Sequence, residues 1–276
     1  VTSRYFERNT NDDSGKFILR TDVRIFKSNC STEFNKKQVP DPIGNLPDVM
    51  CMAAKAYILC DVLKFSTEIF SAPIQESLFE HEGEPEIKIQ LAKRDFYNGF
   101  DLYRCHHDFK IKMHGKAFYK FFSYFFRPVD FSLFYNPKIK IALMSVNSKI
   151  GLDFMQKLNN FNHHELNPIE VDFNYILPKI TEMTGVWVSK INHANLKSAG
   201  YFGHHVDKSK EVEEAIKDGV LSSVLIKYIS PTTKEEHTIL ISKKGTITLY
   251  DTYNQIEDEL DLVMSVYNDI IKKPAI

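Results

Sequence analysis

The chain has 276 residues, 43% of them hydrophobic, with 21 Phe and 13 Tyr. That is enough apolar material for one large domain or two smaller ones, and it excludes global disorder. Thirty-five basic side chains against 36 acidic ones leave a net charge of -1, so any attraction to nucleic acid must come from a local face.

No run approaches the ~18 consecutive apolar residues of a membrane span. The opening Val1-Thr2-Ser3-Arg4-Tyr5 does not read as a signal peptide. Cys30, Cys51, Cys60 and Cys105 form no CxxC pair and read as reduced, buried thiols of an intracellular protein.

The polar first dozen residues are followed by alternating Phe17, Leu19, Val23 and Ile25, which predict a strand over 16–27. Residues 28–47 carry Pro, Gly and Asn and read as loop. Asp48 is a candidate N-cap for a helix through Met50, Ala53, Tyr57, Ile58, Val62 and Phe65, which Pro73 ends. The acidic turn Glu80 to Pro85 suggests a boundary. Ile87, Ile89 and Leu91 predict a strand, Asn98-Gly99 a hairpin turn, and 102–113 the return strand. The aromatic run Lys116–Phe126 has spacings of three and four and predicts a buried helix. Strands are expected over 130–135 and 138–146, with a turn at Asn136-Pro137. A short helix through Phe154, Met155 and Leu158 follows, then a second boundary in the Asn- and His-rich stretch 159–167. Further strands are expected over 169–175 and 185–191, and a helix over 210–217 that Ser209 caps with help from Glu213.

The clearest pattern comes last. Val224, Ile226 and Tyr228 alternate as a strand. Residues 237–242 form another, Lys243-Lys244-Gly245 a tight turn, and 246–250 the return. Ile256, Leu260, Val263, Met264, Tyr267, Ile270 and Ile271 then follow a helical period. The expected fold class is α+β, with antiparallel curved sheets covered by helices. The expected divisions are a helical or irregular segment 1–85, an α+β unit 86–165, and a C-terminal α+β unit 166–276.

This terminal unit resembles a repeat of the TATA-binding-protein family, in particular the diverged versions carried by large cytoplasmic DNA viruses. The likeness lies in Leu225 to Pro231, Thr238 to Ile241, Lys243-Lys244-Gly245, Thr246 to Leu249 and the closing helix. A fainter copy lies at 131–158. The resemblance implies tandem repeats in a saddle and a role in transcription initiation, with duplex DNA and other transcription proteins as partners and no membrane. It places apolar wedges at Leu221 and Ile241 and phosphate contacts at Lys227, Lys243 and Lys244. It also turns Glu257, Asp258, Glu259 and Asp261 toward protein partners. Tyr250-Asp251 departs from the family's Thr-Gly, and a carboxylate there opposes phosphate.

Three His pairs, His106-His107, His163-His164 and His204-His205, invite a metal reading. Adjacent strand residues face opposite ways, however, and no HExxH accompanies them. A His204 or His205 base held by Asp207 has no matching nucleophile motif. The sequence therefore predicts no cofactor, no metal and no catalytic residue. The alternatives are an interaction or structural protein on the same fold, and a hydrolase or nuclease using the His-rich loops.

Overall fold

The computed structural model describes residues 54–66, 70–73, 86–117, 119–161, 163–192 and 196–274. The strand expected over 16–27 and the loop over 28–47 lie outside these residues.

The described chain is α+β, dominated by one antiparallel sheet. Its strands are β1 (Lys55–Lys64), β2 (Phe70–Pro73), β3 (Glu86–Tyr97), β4 (Phe100–Ala117), β5 (Lys120–Asn136), β6 (Ile141–Ser145), β7 (Glu165–Pro168), β8 (Glu182–Ser189), β9 (Ser198–Phe202), β10 (Val220–Ile229), β11 (Glu236–Ser242) and β12 (Thr246–Leu249). The helices are α1 (Ser148–Asn159), α2 (Phe173–Ile176), α3 (Lys210–Asp218) and α4 (Ile256–Val266), the last continuing as a π turn over Tyr267–Ile271. The order across the sheet is β2-β3-β4-β5-β6-β1-β12-β11-β10-β8-β9, with β7 also pairing β1. Strands before residue 74, between 86 and 164, and after 164 all belong to this one sheet, and β1 stands at its centre.

Two expected helices are strands. The segment around Tyr57 to Val62 is β1, not a helix. Tyr57 and Leu59 enter one core and Ile58, Cys60 and Val62 the other, all of them buried. A strand buried on both faces shows a continuous apolar run without period-two contrast. The aromatic run 116–126 is likewise the tip of a β4–β5 hairpin, in which Ala117 pairs Lys120 and Lys116 pairs Phe121. Each Phe doublet places one ring on each face, a spacing that also fits a helix. Residues 169–175 give an extended stretch after β7 and then α2, capped by Asp172 accepting from the Asn174 N–H at 3.1 Å.

Other expectations match. Asn98 and Gly99 turn the β3–β4 hairpin with φ of 48° and 79°. The short helix through Phe154, Met155 and Leu158 is α1, and its cap, which the sequence did not single out, is Asn147, accepting from the Lys149 N–H at 3.0 Å. Ser209 precedes α3, but its hydroxyl bonds Glu211, and Glu213 pairs with Lys217 instead of closing a capping box.

The two meanders β4-β5-β6-α1 and β10-β11-β12-α4 flank β1, and their helices lie on opposite faces of the sheet. Ile58 packs against Gly151 of α1. The next residue back, Tyr57, donates from its hydroxyl to Glu259 of α4. Glu259 is fully buried and also pairs with Lys55, so it belongs to the interior and not to a partner-facing surface. Burial, first, and the Glu259 carboxylate push the Tyr57 phenol far up. Asp258 and Asp261 are exposed, and Asp261 accepts from Tyr97 and Asn98.

β7 leads into the seam between the halves. Ile169 N–H donates to the Leu59 carbonyl at 3.0 Å, Val171 N–H to Lys243 at 2.9 Å, and Leu59 N–H to Gly245 at 2.9 Å. The β11–β12 turn is thereby seated against the centre of β1.

Candidate nucleic-acid interface

β3 pairs β4 only as far as His107, and β6 pairs β5 only from Ser132 onward. Beyond those points, among the described residues, β4 and β5 pair only with each other, from Phe109↔Arg127 to Ala117↔Lys120. Nine residues of strand make a two-stranded ribbon roughly 30 Å long. Its sequence explains why it can stand free. Phe and Tyr favour extended backbone, neighbouring rings of β5 meet edge to face (Phe122 with Phe125, Tyr124 with Phe126), and Phe122 lies across Gly115.

From Phe109 to Val129 there is no Asp or Glu, while Lys110, Lys112, Lys116, Lys120 and Arg127 are cationic. Rings and cations interleave. Lys110 Nζ sits 4.0 Å from the Tyr124 ring centroid, and Lys116 Nζ 5.2 Å from that of Phe121. Tyr119 is 94% exposed and Phe121 82%. Carboxylates reappear only at the root, where His106 Nδ1 lies 2.7 Å from Asp130 and Asp108 accepts from the Glu86 N–H at 2.9 Å.

The residues expected from sequence to meet DNA lie elsewhere. Leu221 (7% exposed) and Ile241 (0%) belong to the core that α4 covers. A bulge between Leu221 and Ser223 brings Leu221 onto the same face as Val224. Lys227 is half-buried and pairs with Glu236 at 2.9 Å. Lys243 and Lys244 are exposed on the β11–β12 turn, level with the middle of β1, whereas the ribbon leaves beyond the strand's first residues. The fold does not bring these lysines to the ribbon. Asp251 turns inward, accepting from Thr238 N–H at 3.3 Å and lying 3.0 Å from His237 Nδ1.

The histidines divide. His106 meets Asp130 on one face, and His107 meets Asp153 of α1 at 2.7 Å on the other. His204 faces Glu182 at 3.3 Å rather than Asp207. Among the described residues no group of three or more His, Cys, Asp or Glu could hold a metal ion, and no helix is long and apolar enough to cross a membrane. Sequence reading missed the His237–Asp251–Tyr253 cluster. Tyr253 Oη lies 3.0 Å from His237 Nδ1, and burial and the Asp251 charge push this phenol up.

His164 is buried between Phe65 and Phe70, and neither ring nitrogen has a hydrogen-bond partner among the described residues. Burial, then the neighbouring His163 and Lys64, push its pKa down to about 4. The native state therefore resists a proton that the unfolded chain accepts near 6.5. This contribution to stability is complete above pH 6.5 and is lost as pH falls toward 4. His107, shifted the same way chiefly by burial, adds to the loss. Urea midpoints measured across that window should fall less for His164→Phe than for wild type. Parallel curves would show that His164 does not couple folding to protons.

Comparison with models of known protein families, and with curated proteins, gives no match.

Proposed function

We propose that the chain is a non-enzymatic transcription-initiation factor on a TATA-binding-protein-like frame that binds duplex DNA through the β4–β5 ribbon. The carrying observation is the ribbon's charge: five cations and no carboxylate over 109–129 in a chain whose net charge is -1. Such a segment gathers phosphates although the chain as a whole carries no excess of positive charge. A two-stranded ribbon also fits the major groove. The strand-strand-strand-helix order on each side of β1 supports the resemblance to a repeat, although α1 and α4 cover opposite faces rather than the one helical face of a saddle.

Titration of a labelled AT-rich duplex by fluorescence anisotropy tests the reading. Lys112, Lys116 and Arg127 are exposed. Replacing all three by Ala should lower the slope of log K against log salt by roughly 2–3, since each phosphate contact contributes about 0.9. Wild-type protein that binds no duplex even at low salt would sink the proposal.

A second reading, an interaction protein on this fold without DNA binding, draws on the opposite placement of α1 and α4. With α4 on one face and α1 on the other, neither face is bare across both halves. Among the described residues, what stays open is the outer face of the second half. There Trp187 and Phe202 meet edge to face at 4.8 Å and Ile229 is 58% exposed, a surface suited to a protein partner.

A further inference from the structure

The ribbon carries abundant charge and ring surface but few groups that read base edges. From 109 to 127 it holds no Asn, Gln, Asp or Glu, and Arg127 is its one guanidinium. Adenine and cytosine edges are read by the amides and carboxylates that the ribbon lacks, whereas its lysines and Arg127 can reach only guanine acceptors. Stacking on bases needs only an exposed ring with a cation nearby for the phosphate.

Both are present at the tip. Tyr119 stands in the turn at a φ of 64°, which turns it out of the ladder. Phe121 follows on β5, and the two are the most exposed large hydrophobic side chains of the described chain. Lys116 Nζ lies 5.9 Å from the Tyr119 centroid and 5.2 Å from that of Phe121, so one cation serves both rings. In a paired and stacked duplex the base faces are covered, and such rings find no partner. Where a strand is open the faces are free.

We infer that the tip of the β4–β5 ribbon takes unpaired bases, stacking them on Tyr119 and Phe121 while the lysines along the ribbon follow the adjoining phosphates. The ligand class is a melted or single-stranded stretch of nucleic acid next to duplex. This deepens, and rests on, the DNA-binding reading above. An anionic membrane surface also attracts lysines and aromatics. A hairpin that inserts there separates an apolar tip from a basic collar, whereas here Lys110, Lys112 and Lys116 face Phe126, Tyr124 and Phe121 across the ladder, so cations line the ribbon from its root to its tip.

The test compares three labelled probes: a closed duplex, the same duplex with a central mismatched bubble, and a single-stranded RNA of equal length. Wild type should bind the bubble at least about tenfold tighter than the closed duplex. Tyr119→Ala and Phe121→Ala should each take about tenfold from bubble binding and less from closed-duplex binding, with the urea midpoint unchanged; equal losses on the two probes would overturn the stacking role. RNA bound as tightly as the bubble supports the same stacking and names RNA as a source of the bases; weaker RNA binding assigns the site to DNA. Equal affinity for bubble and closed duplex overturns the inference and leaves the DNA-binding proposal standing. No binding to any probe overturns both. Sedimentation with phosphatidylserine vesicles, without a bubble preference, would assign the tip to a membrane surface and overturn the inference as well.

Discussion

Gly245→Val should cost the protein about 3–5 kcal/mol of stability, or prevent folding. Gly245 sits at a φ of +72°, where a β-branched residue is strained, and a Cβ there would lie 2.2 Å from the Ile169 carbonyl oxygen. That oxygen is backbone and cannot swing aside as a side-chain end could. Relief requires moving either the 169–171 segment or the β11–β12 turn. Either movement breaks bonds at the seam: Gly245 accepts from Leu59, and Lys243 accepts from Val171. Chemical denaturation monitored by circular dichroism reads the loss. Lys244→Ala, on an exposed neighbour, is the control and should stay within about 0.5 kcal/mol of wild type. A Gly245→Val midpoint equal to that of the control would mean that the turn is not seated on Ile169.

Ile241→Ala should cost about 2–5 kcal/mol without changing the salt slope of DNA binding by the folded fraction. Ile241 is fully buried on the α4-covered face, in one core with Ile239, Val224, Ile247 and Val263. Truncation removes apolar contacts and leaves a cavity between sheet and helix that close-packed neighbours fill only in part. Paired urea denaturation and duplex anisotropy distinguish the two possible roles of this residue. Unchanged stability with duplex binding abolished would return Ile241 to the DNA surface as a wedge. Lost stability with unchanged binding places it in the core.

The terminal unit was legible because one face of each strand is covered and the other is not. His237, Ile239 and Ile241 point inward while Thr238 and Leu240 lie toward solvent, so the period of two survives in the letters. β1 lacked that contrast, since both its faces are buried. The ribbon failed for a different reason. Phe121-Phe122 and Phe125-Phe126 satisfy helical spacing as well as they satisfy a strand with rings on both faces. The unbroken absence of carboxylates over 109–129 bears on the proposed DNA contact and not on the choice between strand and helix. Alternation alone could have placed Ile241 indoors. Leu221 could not be placed that way, because the bulge beside it shifts its face. The ion pair of Lys227 with Glu236 depends on strand register, which no single strand's sequence contains.

The central place of β1 sets an order for synthesis. Its first residues pair with the last strand of the sheet, Lys55 opposite Leu249, across about 190 residues of chain. At ribosomal rates of ~5–20 residues per second, that partner emerges roughly 10–40 s after β1 does. During the wait β6 can close one edge of β1, while the start of the other edge has its eventual partner still unmade. The nascent chain thus carries an apolar, strand-ready edge in search of a mate, and the last-made meander is what ends its exposure. A message cut short before β12 would release a first half with that edge still open, a substrate for chaperones or for pairing with another copy of itself.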